Sequence, residues 1–252
     1  MILSILICTI DAGIEKVPSV LMSPTSEVNY VVSLQYTEER FLEMVPQELR
    51  EREDVTVTTL EGRGLSRNRN NAIMHATGDV CLIADDDNRY KKEWVETILN
   101  AYKEHPEADI ITFQAQNMDG KPLHPYPTDF VSSVEMTFKR NIGIAFDERF
   151  GLGSKHLCAG EEQVFMKDAR KAGKRIMYVA QCIVQTPANT TGTNFLHNKK
   201  MQITKGATFR YVYGTADALW RSVKEAGWYL VHKGANPLPI FYYMCKGIAL
   251  QP

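Results

Sequence analysis

The stretch Val80-Cys81-Leu82-Ile83-Ala84-Asp85-Asp86-Asp87 decides how this chain is read. Its apolar half shows no alternation, as expected of a strand covered on both faces in a parallel sheet. Its acidic half gathers carboxylates that repel one another at the strand's end. Such a cluster suits a hard divalent cation held through oxygen, Mg²⁺ or Mn²⁺, which would in turn hold a phosphate. The plainer alternative is a solvated loop whose aspartates cap the helix that follows.

The same buried-strand texture recurs on either side. Residues 2–9, Val28 to Leu34, Val55 to Leu60 and Asp109 to Phe113 are apolar runs. Helical stretches separate them: Thr37 to Glu53, interrupted at Pro46; Ser66 to Ala76, ended by Gly78; and Lys91 to His105, with Trp94, Val95, Ile98, Leu99 and Tyr102 on one face. A further helix over Glu161 to Ala172, with Val164, Phe165 and Ala169 inward and Gly173 as its stop, precedes a strand over Arg175 to Ala180. Strands alternating with helices predict an α/β fold whose central, mostly parallel sheet is flanked by helices. In open sheets of this kind ligands bind beyond the carboxyl ends of the strands, where Asp85 to Asp87 are expected.

With 252 residues the chain can bury a substantial core and fits one large α/β domain. A balance of 29 Lys+Arg against 30 Asp+Glu leaves no global field pointing to nucleic acid. Cys8, Cys81, Cys158, Cys182 and Cys245 have no C-x-x-C spacing and read as buried thiols in a reducing compartment. Residues 1–10 lack the basic start and the small-residue cleavage site of a signal sequence and read as a first buried strand. No run of about 18 apolar residues offers a spanning helix, and a cytoplasmic protein is expected. Beyond residue 115 the texture changes. Gln116 to Thr128 and Ala188 to Gly206 are polar and read as binding loops, the second expected to close over a ligand. From Phe209 onward the chain is aromatic and mildly basic. Aromatics at helical spacing are expected to face inward, the alternative being a partner or a membrane surface.

Two further motifs carry chemistry. In Glu61-Gly62-Arg63-Gly64-Leu65-Ser66-Arg67-Asn68-Arg69 the glycines permit a tight turn, and Ser66 can cap a helix whose first turn bears Arg67 and Arg69. Guanidinium groups at the positive end of a helix suit a diphosphate or a nucleobase edge. Otherwise they are solvated and pair with Glu61 or Asp79. Downstream, Phe146-Asp147-Glu148-Arg149-Phe150-Gly151 precedes Gly160-Glu161-Glu162 at a helix start. Acids in a first helical turn are common for dipole reasons alone. A second carboxylate site is also what a displacement at a sugar carbon needs, since something must deprotonate the incoming hydroxyl.

Taken in order, the strand at 2–9, Gly64-Leu65-Ser66-Arg67-Asn68-Arg69-Asn70, Gly78-Asp79, Asp85-Asp86-Asp87, Phe146 to Gly151 and Gly160-Glu161-Glu162 resemble the family 2 glycosyltransferases of the GT-A fold, over about residues 1–185. The resemblance implies a nucleotide-sugar donor, with a UDP-sugar favoured, a D-x-D site for Mn²⁺ or Mg²⁺, and inversion at the anomeric carbon. It also implies an acceptor hydroxyl on a glycan or lipid-linked saccharide in cell-surface polysaccharide synthesis, met through peripheral contact with the inner membrane face. On this resemblance Asp87 is the metal ligand, and Asp85 and Asp86 touch donor ribose, sugar or metal. Thr9 and Asp11 border the nucleoside, and Arg63, Arg67 and Arg69 are candidates for base or diphosphate contacts.

The family's Glu-Asp pair stands here as Glu161-Glu162, which makes Glu162 the expected base and Glu161 the fallback. Where the family often has a His before a Pro after the late strand, this chain has Gln185-Thr186-Pro187. His197 is the candidate replacement as a metal or phosphate partner, against its reading as an ordinary surface residue. Residues 1–115 then form the donor-binding half, 116–205 the acceptor-binding and catalytic half, and 206–252 a helical, aromatic extension of one continuous domain.

Two other readings share these residues. A non-catalytic nucleotide-sugar-binding or scaffold subunit of a polysaccharide assembly complex would keep the fold, but intact acids at both sites argue against it. A nucleotidyltransferase would want a Gly-rich, basic phosphate loop directly after the first strand, where this chain has Thr9-Ile10-Asp11-Ala12-Gly13.

Overall fold

The computed structural model describes residues 1–123, 131–187 and 195–250, which fall into two compact units. The first unit, Met1–Arg63, Arg67–Ala145 and Ala169–Ala188, is built on a seven-stranded sheet. In chain order its strands are β1 (Leu3–Ile10), β2 (Val28–Tyr36), β3 (Val55–Glu61), β4 (Val80–Asp85), β5 (Ile110–Gln116), β6 (Met136–Lys139) and β7 (Ile176–Gln185). In space the order is β3-β2-β1-β4-β6-β5-β7, parallel throughout except that β6 runs antiparallel to β4 and β5.

β1 lies between β2 and β4, with Leu3 in register with Val28 and Val80, and Cys8 with Ser33 and Asp85. Its residues are buried on both faces up to Thr9, as uninterrupted apolarity predicts for an inner parallel strand. Ile5, Ile7, Val32, Leu34, Leu82 and Ala84 share one core with Val95, Ile98, Leu99 and Tyr102 of α4 (Lys92–Glu104), while Trp94 is only partly buried at its margin. β3 departs from the expected uniform burial. It is an edge strand with one unpaired side, and Thr56, Thr59 and Glu61 are exposed. The stretch from Thr37 to Glu53 does break at Pro46, giving α1 (Arg40–Glu43) and α2 (Gln47–Glu51). A 3₁₀ segment, Asp11–Val20, follows β1.

β6 has no counterpart in the sequence reading. At four residues it is too short to show a period, and its pairing with β4 and β5 identifies it. Met136, Thr137 and Phe138 are fully buried, and the Thr137 hydroxyl donates to the Ile111 carbonyl at 2.8 Å. Cys8, Cys81 and Cys158 are buried as expected, whereas Cys182 and Cys245 are only half-buried. Burial pushes the Cys8 and Cys81 thiols up to about 12.

The second unit comprises Gly64–Ser66, Phe146–Asp168 and Asn189–Pro252. It contains α6 (Lys199–Tyr213), α7 (Thr215–Lys233) and α8 (Pro237–Ala249). α6 and α8 touch backbone to backbone: a Cβ on Gly206 would fall 2.0 Å from the Met244 carbonyl oxygen, and one on Gly247 would fall 1.8 Å from that of Ile203. The loop expected over Ala188 to Gly206 is corrected from residue 199 onward. Asn198 caps a helix there by accepting from the Met201 amide, and Met201, Gln202 and Thr204 are buried. Residues 188–194 of that stretch, and 124–128 of the other expected loop, lie outside the described residues. The aromatic extension is only in part a core. Phe209, Ile240 and Met244 are buried, but Trp220, Trp228 and Tyr242 are exposed, against the expectation that they face inward. α5 (Glu161–Lys171) buries Val164, Phe165 and Ala169 completely and stops at Gly173, whose φ of +72° only glycine adopts easily.

One side chain of α3 (Leu65–His75) ties the first unit's strands together. The amide nitrogen of buried Asn68 donates to the carbonyls of Thr9 and Ser33, each at 3.0 Å, and its oxygen accepts from the Ser33 hydroxyl at 2.6 Å. Asn68→Ala would leave these groups buried without that partner, and a loss of about 2–3 kcal/mol in urea unfolding with unchanged m-value is expected.

Candidate active site

The parallel register of β1 and β4 brings the residues after both strands to one edge of the sheet. Asp85 ends β4, half-buried, and Asp86 and Asp87 follow in a turn in which the Asn88 amide donates to the Asp85 carbonyl at 3.4 Å. These aspartates do not cap α4, because the residue in that position is Lys91. The Thr9 hydroxyl donates to Asp86 Oδ2 at 2.5 Å. Gly13 approaches so closely that a Cβ there would lie 2.5 Å from the same oxygen, so a side chain at this position would push the Asp86 carboxylate and the Thr9 hydroxyl aside. Asp87 is exposed, and its carboxyl is held above the usual range, first by partial burial and next by the charge of Asp86, with Lys16 acting in the opposite direction.

Asp11 lies one residue past β1 with φ of +52°, an uncommon conformation for a side-chain-bearing residue. Its Oδ1 accepts from the Thr37 amide at 2.8 Å and hydroxyl at 2.9 Å, and Oδ2 faces Arg63 at 3.9 Å. Gly62 and Gly64 make the expected tight turn, with φ of +95° and +139°. Arg67 donates to the Glu61 carbonyl at 2.9 Å rather than to its carboxylate. The three arginines separate: Arg63 and Arg67 are exposed, whereas Arg69 is buried and donates to Ser133 Oγ at 2.8 Å.

Within the second unit, Glu161 and Glu162 open α5. Glu161 is buried and Glu162 half-exposed. The preceding Gly160, at φ of +89°, has no room for a side chain, since a Cβ would fall 2.2 Å from Thr208 Oγ1 on α6. The loop from Phe146 to Leu152 braces this helix start. Phe146 stacks on Phe165 at 4.6 Å, and a Cβ on Gly151 would meet the Glu161 carboxyl carbon at 3.3 Å. Arg149 pairs with Asp147 at 2.5 Å and holds that carboxyl below its usual range. The expected cap at Ser66 is corrected: Ser66 lies inside α3, and its hydroxyl donates to the Phe150 carbonyl at 2.7 Å, beside the Leu65 amide bonded to Leu152 at 2.8 Å. His197 is exposed in a single 3₁₀ turn before α6.

The structure therefore brings Thr9 to Asp86 and Arg63 to Asp11, and sets Glu161 and Glu162 at one helix start. Among the described residues, no three of His, Cys, Asp and Glu converge as a metal cage. Mg²⁺ commonly needs only one or two carboxylates when a substrate's phosphates complete its shell, and the aspartate run fits that donor set. Thr37, Gly13 and Lys16 belong to this edge and were missed by motif reading. Thr37 was findable as the residue just beyond β2, since the carboxyl ends of parallel strands are where such sites form.

A sequence profile of glycosyl transferase family 2 matches residues 16–171. The glucosyl-dolichyl phosphate glucuronosyltransferase of Haloferax volcanii is 26% identical over 216 residues, 73% of this chain and 68% of its own length. Among solved structures, S. aureus TarS 1-349 superposes with a TM-score of 0.63 at 14% identity, over 97% of this chain and 90% of that one. TarS 1-349 in complex with UDP-GlcNAc superposes with a TM-score of 0.60 at 14% identity, over 100% and 93%. At such identity these structures speak for the fold, and it is the GT-A type anticipated from the sequence.

Removing the neighbouring charge should release part of the strain on Asp87. Asp86→Asn is expected to lower the Asp87 pKa towards, but not to, the ordinary aspartate value, because the burial that contributes most remains. Carboxyl-carbon NMR titration checks this, and an unchanged or higher value would contradict it.

Proposed function

The chain belongs to glycosyltransferase family 2, and we propose that it moves a sugar from a UDP-sugar to a hydroxyl of a glycan or lipid-linked saccharide, with inversion and with Mn²⁺ or Mg²⁺ at the donor. The observation that carries this reading is the acidic end of β4, which lies inside the stretch that matches the family and is bonded by Thr9 from β1. The UDP-sugar is supported by the UDP-GlcNAc bound to TarS, and the lipid-linked acceptor by the name of the Haloferax relative. Enzymatic polysaccharide synthesis in the cytoplasm, at the inner membrane face, is the setting proposed. Among the described residues no helix is long and apolar enough to cross a membrane.

Asp87, with Asp85, would hold the ion, and His197 is the further candidate for the metal or a phosphate. A divalent ion in that position supplies positive charge to the departing diphosphate. Thr9 and Asp11 border the nucleoside, Asp11 being fixed for this by its two bonds from Thr37. Arg63 and Arg67, exposed at the same sheet edge, take the base or diphosphate contacts. Buried Arg69, bonded to Ser133, acts instead by holding α3 in place. Glu162 takes the acceptor proton as the hydroxyl oxygen bonds to the anomeric carbon from the face opposite the nucleotide. The bond to the diphosphate oxygen breaks, and its electron pair leaves with UDP. The half-exposed carboxylate of Glu162 is better able to meet an acceptor than the buried one of Glu161.

Glu162→Gln preserves shape and removes the base. Assayed by UDP release from a panel of UDP-sugars with lipid-phosphate-linked glucose as acceptor, kcat should fall by about 10²–10⁴-fold while UDP affinity is unchanged. A variant with wild-type kcat would remove Glu162 from the role. A wild-type chain that binds UDP but turns over no sugar would favour the scaffold reading.

A further inference from the structure

We infer that α7 and α8 form a docking surface for an anionic lipid bilayer. α7 is inside out by the usual standard. Its buried residues, Ala218, Ser222 and Ala226, are small and lie along one stripe at four-residue spacing. Large apolar side chains of it face water instead: Trp220 is 62% exposed and Val231 77%, with Val223, Trp228 and Leu230 exposed between them and Leu219 just before. α8 packs against α7 and adds Leu238, 72% exposed, and Tyr242, 55% exposed. Single exposed apolar residues need no explanation, but a helix that buries alanine and exposes tryptophan, valine and leucine on its other side is built to be covered.

Charge selects what covers it. In a chain of balanced charge, residues 195–250 carry eight Lys and Arg against two Asp and Glu. Lys224, Lys233 and Lys246 are exposed on these two helices, and the Lys246 ammonium lies 4.7 Å from the ring centre of Tyr242. Apolar side chains flanked by lysines are the pattern of a helix lying in the headgroup layer, its apolar face at the acyl boundary and its cations on anionic lipid. Tryptophan and tyrosine favour that boundary because one end of each ring is apolar and the other polar. A second copy of the chain fits less well, since a two-fold contact would set the same basic residues against themselves.

Docking of this kind rests on the proposed function only for its setting, a membrane-borne acceptor. The test uses neither donor nor acceptor, so its failure leaves the transferase reading standing, and failure of the transferase assay leaves docking standing. The full chain is sedimented with phosphatidylcholine vesicles containing or lacking phosphatidylglycerol, at low and high salt. The expected result is binding to the anionic vesicles only, weakened by salt, with a blue shift of tryptophan emission that Trp220→Phe diminishes and Trp94→Phe does not. Lys224→Ala and Lys246→Ala should each weaken binding about fivefold. The double variant Trp220→Glu, Val231→Glu should lose vesicle binding and keep the wild-type melting temperature, because both side chains are exposed. Absence of binding to anionic vesicles, or equal binding by the double variant, overturns the inference. So does a dimer in sedimentation equilibrium that the same two substitutions abolish.

Discussion

The burial of β1 on both faces is the constraint on which the first unit depends. A strand between two parallel neighbours, closed above and below, can place polar side chains in reach of solvent only where it ends. Its register with β4 then makes that end shared. Cys8 is level with Asp85, so Thr9 meets Asp86 just past the register, and Asp11 follows at the end of the strand. The carboxylates that would otherwise repel one another are partly offset by a hydroxyl from Thr9 and the positive charge of Lys16. Asn68 locks the arrangement from α3 by bonding the carbonyls of Thr9 and Ser33, one on each neighbouring strand.

What was legible in the sequence was whatever repeats. The apolar runs of β1, β2, β4 and β5 and the one-faced patterns of α4 and α5 each span enough residues for a period to show. β6 was not legible, because four residues between two turns carry no period and its partners are distant in sequence. The outcome at the site has the same cause at finer scale. Arg67 and Arg69 belong to one motif, yet two residues along a helix turn the side chain by about 200°, and the first is exposed while the second is buried on Ser133. Adjacent Glu161 and Glu162 differ by about 100°, enough to bury one and leave the other half-exposed. A motif names the residues, and helix phase assigns them.

The extension from α6 to α8 shows the reverse limit. Aromatic residues at helical spacing are expected to point inward, and the expectation holds for Phe209 but fails for Trp220 and Trp228, because the buried positions of α7 are taken by small residues. Gly206 and Gly247 let α6 and α8 approach at backbone distance, and the core beside that contact is filled by Phe209, Ile240, Met244 and Ile248 of those two helices. Composition alone does not distinguish a large apolar residue that fills a core from one that waits for a surface. The comparisons with known proteins reach the family and the fold, and the chemistry beyond them is a matter of specific atoms.

The central claim, a metal-dependent UDP site at the end of β4, is tested most directly by thermal unfolding with UDP, with and without Mn²⁺, on the wild-type chain and on Asp87→Ala. A ligand at a hundredfold excess over its dissociation constant stabilises the folded state by about 2.7 kcal/mol. The account predicts a rise in melting temperature with UDP that requires Mn²⁺ and is lost in Asp87→Ala. A rise that persists in that variant, or no rise in the wild type, would contradict it.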